Sequence, residues 1–147
     1  MKWITREKAR VDRIACPWLI KKFVDQDAEF LFVPREGVLE VAKKEGAIPF
    51  DVQGSELSHY EEDGFEHVSF DAIIKKYKLK DPALDLLSAI VRGADAKVLH
   101  NPPAESQGLR AAAEGFASIC KDDFENMRLQ FPFYNAMYAY CKMKASS

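Results

Sequence analysis

A glutamate and a histidine three positions apart, Glu56 and His59, stand in the most polar stretch of the chain, QGSELSHYEEDGFE over residues 53–66. Carboxylate oxygen and imidazole nitrogen both bind Mn, Fe and Zn. A Glu-x-x-His pair on one turn of helix brings both side chains to one side, as in helical di-metal sites. If the 53–66 segment takes one helical turn, a divalent metal becomes a candidate cofactor, held by Glu56, His59, Asp51 and Asp95, with His67 and Asp71 as further donors. A redox-active ion there would support stress chemistry, and zinc would activate a water. The pattern occurs once, without the second copy that di-metal sites use. The competing reading is two solvated loop residues.

Asp95 follows the sequence Arg92-Gly93-Ala94 at an expected helix end, where the macrodipole disfavours a carboxylate and some cation must compensate; Arg92 is the local candidate. Asp71 falls in an expected first helical turn, where a carboxylate is stabilised without a site. His67 and His100 have no partner pattern and read as surface residues.

A second chemistry is open near the N-terminus, where Arg6, Arg10, Asp12 and Arg13 crowd together. Guanidinium groups hold tetrahedral oxyanions through paired hydrogen bonds, and amides at a helix start add donors. Chromate, with the shape and charge of sulfate, would suit an oxyanion site of Arg6, Arg10 and Arg13, although Asp12 would cancel part of that field. A surface Arg–Asp network is the alternative. Cys16 precedes Pro17 at an expected helix start. It reads either as a thiolate of lowered pKa suited to redox work or as a buried, inert thiol beside an apolar stripe.

Composition narrows the field. The 147 residues, 48% of them hydrophobic, suffice for one sizeable core, and one domain over 1–147 is expected. The formal net charge of −2 lacks the basic excess that non-specific nucleic-acid binding requires, so nucleic acid is not an expected partner. The three cysteines include no CxxC pair, which argues against a zinc ribbon and a disulfide framework. The charged opening MKWITREKARVDR is no signal peptide, and no apolar run spans a bilayer, so a cytoplasmic protein without membrane contact is expected. Self-association is left open.

The elements that must position these residues follow from periodicity. Residues 2–6 suit a strand, and Val11, Ile14, Ala15, Trp18, Leu19 and Phe23 fall at helical spacing, with Pro17 expected to kink that helix or start it. EFLFV (29–33) reads as a buried strand, 34–45 as a helix closed by Gly46, and 47–52 as a third strand. The order β-α-β-α-β makes this an α/β (or α+β) protein, with a small parallel-paired sheet unit followed by a mostly helical C-terminal half. Ser69 is expected to cap one helix and Asp81-Pro82 to open another ending near Gly93. Breaks are expected near 101–103 and 131–132, with Phe131, Phe133, Tyr134, Tyr138 and Tyr140 packing a last helix over the sheet.

Several stretches together resemble the C-terminal domain family of ChrB-type chromate-resistance proteins. They are WITR (3–6), VDRIACPWLI (11–20), AEF (28–30), GAIPFD (46–51), Glu56 with His59, SFD (69–71) and RGAD (92–95). These landmarks run in order to residue 95, and similarity weakens in the helical remainder. The resemblance implies a role in handling chromate or a related oxidative stress. In full-length members the domain follows an N-terminal region, and the whole protein is linked to control of a chromate-efflux operon. Direct transcriptional control is not expected of this chain, which has no evident DNA-reading module or basic stripe.

Overall fold

The computed structural model describes residues 1–96 and 101–147, so the expectation for His100 lies outside the described residues. Strand β1 (Lys2–Arg6) pairs in parallel with β2 (Glu29–Val33) on one side and β3 (Ile48–Pro49) on the other, giving the order β2-β1-β3. Successive side chains of a strand face opposite ways. Ile4 accordingly enters a small core with Val38, Ala42, Ala47 and Val52 under helix α2 (Val38–Glu45), while Trp3 enters the large core on the other face. Strand β1 is buried from both sides, as parallel sheets require.

Helix α1 (Asp12–Leu19) connects β1 to β2 on the large-core side. It begins five positions before Pro17 rather than at it, and its α-geometry gives way to a π-helical turn over Ile20–Val24, closed by Asp25 N–H bonding Ile20 O at 2.7 Å. Helix α2 follows a 3₁₀ turn (Arg35–Gly37) and ends at Gly46, whose φ of 63° is the left-handed conformation expected there.

The third strand is far shorter than the 47–52 expected. Phe50 N–H still bonds Ile4 O, but Asp51 takes φ 52° and its N–H turns to Leu57 O at 2.7 Å, so the chain leaves the sheet at once. The polar stretch beyond holds no helical turn. It ends in an antiparallel hairpin, β4 (Tyr60–Glu62) and β5 (Phe65–His67), joined through Asp63 (φ 54°) and Gly64 (φ 80°). Positive φ at both central positions is the geometry that Asp-Gly turns adopt.

Helix α3 (Ser69–Lys76) starts after Val68, so Ser69 is its first residue and not its cap. Asp81 does cap α4 (Pro82–Asp95), accepting Ala83 N–H at 2.9 Å, and α4 runs past Gly93 to Asp95. Helices α5 (Glu105–Ile119) and α6 (Asp123–Ala145) complete the chain. Helix α6 continues through Pro132, where a break was expected. An interior proline costs roughly 3 kcal/mol, but Tyr134 and Gln130 beside it are fully buried, and Trp18 Nε1–H donates to Asn135 at 2.9 Å, so tertiary packing holds the helix together. The aromatic set of α6 lies against α1 and α5, through Trp18 with Tyr134 and Tyr138 and through Phe116 with Phe133, while Phe124 at the start of α6 meets Phe32 of β2. Among the described residues no helix is long and apolar enough to cross a membrane.

Candidate metal centre

Strands β1 and β3 are parallel neighbours, and at their carboxyl ends they lead to α1 and α3, which pack in the same large core. In open α/β sheets ligands bind in the crevice outside the carboxyl ends of the strands. Here each strand delivers an aspartate to it: Asp12 at the first residue of α1, and Asp51 at the turn that closes β3. Helix α4 contributes Asp95, its last residue, and the segment before the hairpin contributes His59.

The four side chains meet at one atom. His59 Nε2 lies 3.1 Å from Asp95 Oδ2, 3.3 Å from Asp51 Oδ1 and 3.5 Å from Asp12 Oδ2. Ligand atoms of Asp12, His59 and Asp95 all fall within 4.8 Å of one another, close enough to share an ion. Asp12 and Asp51 are buried, whereas the His59 side chain keeps 37% of its surface and faces a hollow of about 400 Å³ lined also by Arg6, Arg35 and Ser58.

Each group carries a distinct electrostatic load. Burial, then the neighbouring Asp51 charge, raises the Asp12 carboxyl to about 7. Contacts with Asp12, Asp51 and Asp95 raise His59 to about 12, so it is a cation at neutral pH. Burial works against ionisation of Asp51, but His59, the Ser69 hydroxyl (2.7 Å) and Arg13 outweigh it and hold Asp51 below the usual carboxylate range. The hollow thus concentrates carboxylates around one protonated imidazole, whose charge they balance.

Asp12 has a further structural task. Val68 offers no side-chain oxygen to cap α3, and Asp12 does this from another helix: it accepts Ser69 N–H at 2.8 Å and Phe70 N–H at 3.1 Å. Its Oδ1 also accepts the Cys16 thiol at 3.3 Å. The thiol is fully buried, and burial followed by the Asp12 charge pushes its pKa well up. Burial thus shifts the Cys16 thiol opposite to the lowering expected at a helix start.

Glu56 stands apart from the cluster. Without a helical turn over 56–59, its carboxylate points outward to Lys76 Nζ at 2.8 Å and is 70% exposed. Asp71 is occupied as well, accepting Val68 N–H and Arg92 Nη1–H, so Arg92 compensates Asp71 and it is His59 that faces Asp95. His67 lies 3.5 Å from Asp71 and stacks on Tyr60. The three arginines do not converge. Arg6 and Arg13 both face Asp51, at 3.7 and 3.4 Å, Arg13 also donates to the carbonyls of Glu7 and Arg6, and Arg10 reaches Glu114 on α5.

The sequence reading sets Asp12 only against the arginines, whereas the structure turns it towards the His59 imidazole. A signal was present: Asp12, Ala15, Cys16 and Leu19 share one helical stripe, and all four are buried. A carboxylate within an apolar stripe needs a partner.

A parallel sheet covered on both faces, with a histidine–carboxylate hollow at the carboxyl ends of its strands, makes this an α/β domain carrying a candidate metal centre. A family model described as the ChrB C-terminal domain matches residues 3–141, and the chain belongs to this chromate-resistance ChrB-type C-terminal domain family. It is 33% identical over 114 residues to "Protein ChrB" of Cupriavidus metallidurans, an alignment covering 77% of this chain and 32% of that protein. The chain thus spans about a third of that relative's length. No solved structure matches it.

Proposed function

We propose that this domain of the chromate-resistance type binds one divalent metal ion through Asp12, His59 and Asp95, with Asp51 as an adjacent carboxylate. The observation that carries this reading is the convergence of three carboxylates on a single imidazole nitrogen. The donor set of oxygen and imidazole nitrogen, without thiolate, fits Mn, Fe or Zn. Three protein ligands leave coordination positions open towards the hollow, the arrangement that reactive metal sites share. A bound ion would supply either redox chemistry or an activated water there.

Metal must displace the His59 proton, because only the neutral imidazole is a ligand. Binding is accordingly accompanied by proton release and strengthens with rising pH. Elemental analysis of purified protein, followed by titration of the metal-free form with Mn²⁺ and Zn²⁺, tests the reading. One equivalent in the native protein and none in His59→Ala is the expected result, and absence of stoichiometric metal in the native protein removes the proposal.

A second reading rests on Arg6, whose Nε is buried without a hydrogen-bond partner and which lines the same hollow as Arg35. An oxyanion of the chromate or sulfate type would pair with these guanidiniums, giving a sensing module without catalysis. Calorimetry with chromate and sulfate separates the two: under this reading binding occurs without metal and is lost in Arg6→Ala.

A further inference from the structure

The imidazole of His59 has a second nitrogen, and it too faces a carboxylate: Nδ1 lies 3.5 Å from Glu66 Oε1. We infer that Glu66 is a positioning residue for the metal centre, and that the β4–β5 hairpin exists in part to deliver it; the inference rests on the metal reading above. Histidine ligands commonly donate their other ring N–H to a carboxylate. This fixes the tautomer and ring orientation and raises ligand basicity, and loss of such a partner costs about 10- to 100-fold in metal affinity.

The hairpin register supports the assignment. Glu66 stands directly opposite Glu61, a like-charge pair that destabilises a two-stranded ribbon. The neighbouring pair does the opposite, since Tyr60 and His67 stack with ring centroids 4.8 Å apart. Side chains alternate along a strand, so Glu61 and Glu66 project from one face while Tyr60, Glu62 and His67 project from the other. On that other face Glu62 already has Lys75 at 2.7 Å. Glu66 is only 26% exposed, and its partner is His59. A short hairpin gains nothing in stability by placing two glutamates face to face. The placement has a use if one of them orients a ring whose far nitrogen binds an ion.

The consequence is directional. With Nδ1–H held by Glu66, Nε2 presents its lone pair to Asp12 and Asp95, and the metal bonds through Nε2. A glutamine at position 66 would still offer a carbonyl to Nδ1–H, whereas an alanine would not.

The test is metal titration of the full chain with Zn²⁺, as native protein, Glu66→Ala and Glu66→Gln, together with long-range ¹H–¹⁵N spectra of His59 in the zinc-loaded forms. Glu66→Ala is expected to bind zinc 10- to 100-fold more weakly, and Glu66→Gln to recover most of that loss. The native spectrum is expected to show Nδ1 protonated and Nε2 metal-bound. Because Glu66 lies on a hairpin at the protein surface, the metal-free melting temperatures of the three proteins should agree within a few degrees. Equal zinc affinity in Glu66→Ala, or zinc bonded through Nδ1 in the native protein, overturns the role of Glu66 alone. Absence of zinc uptake by the native protein overturns the centre itself and Glu66's role with it.

Discussion

Asp12, the first residue of α1, accepts the backbone N–H of Ser69, the first residue of α3, at 2.8 Å. One carboxylate therefore closes the open end of a helix and faces the imidazole of His59. The cap and the proposed ligand role are separable. Asp12→Asn keeps a carbonyl that can accept an amide N–H, whereas Asp12→Ala leaves two helix-start amides without partners, a loss of about 0.5–2 kcal/mol. Denaturant unfolding of the metal-free proteins should show Asp12→Ala less stable than Asp12→Asn by about that amount. Metal titration should show both substitutions abolishing tight binding.

The raised values of Asp12 and His59 set the pH dependence of the metal-free protein. Both groups hold their proton more tightly when folded. Each contributes stability that is full below its unfolded value and lost as pH rises through its folded one. For Asp12 that window runs from the ordinary 3.8 to about 7, and for His59 from 6.5 to about 12. Asp51, held low, contributes in the opposite sense and is lost only in acid. The melting temperature of metal-free protein should fall between pH 7 and 9, before tyrosines and most lysines titrate, and His59→Ala should flatten that fall. A native curve that stays level across this range would show that His59 is not held protonated.

Gly93 sits where α4 meets α5. A Cβ there would stand 2.1 Å from Ser106 Oγ and 2.7 Å from Ser106 Cβ, and Ser106 is itself buried and donates to Ile90 O. Gly93→Ala must push the helices apart, at a cost of about 1–3 kcal/mol. Ser106→Gly in the same chain opens the space again and should restore much of the loss, a coupling that a double-mutant cycle in denaturant measures.

Cys16 is fully buried with a raised pKa, while Cys120 retains partial exposure. In native buffer iodoacetamide should label Cys120 and leave Cys16 unmodified, as followed by peptide mass spectrometry. Labelling of Cys16 at a rate matching Cys120 would mean that the thiol is reachable and ionises.

The sheet unit was legible because each of its elements has a strong period or a clear stop: EFLFV for β2, and Gly46 closing α2. His59, Asp51 and Asp95 were legible as ligand types, but Glu56 was grouped with them on an assumed helical turn. The Asp63-Gly64 dipeptide inside 53–66 is a hairpin signal, and reading it would have replaced that turn with two strands and brought Glu66 into view. Asp12 was hidden for another reason. Its partners Ser69 and Phe70 lie 57 and 58 positions away, and a long-range cap leaves no local pattern. Pro132 marks the converse limit, a local breaker overruled by burial of its neighbours in α6.

X-ray absorption spectroscopy of the protein loaded with one equivalent of zinc tests the proposed centre most directly. The expected spectrum shows oxygen and nitrogen neighbours at about 2.0–2.2 Å, with the outer-shell scattering of a single imidazole that disappears in His59→Ala. Sulfur scattering at about 2.3 Å, or a first shell without imidazole, would contradict a site built from Asp12, His59 and Asp95.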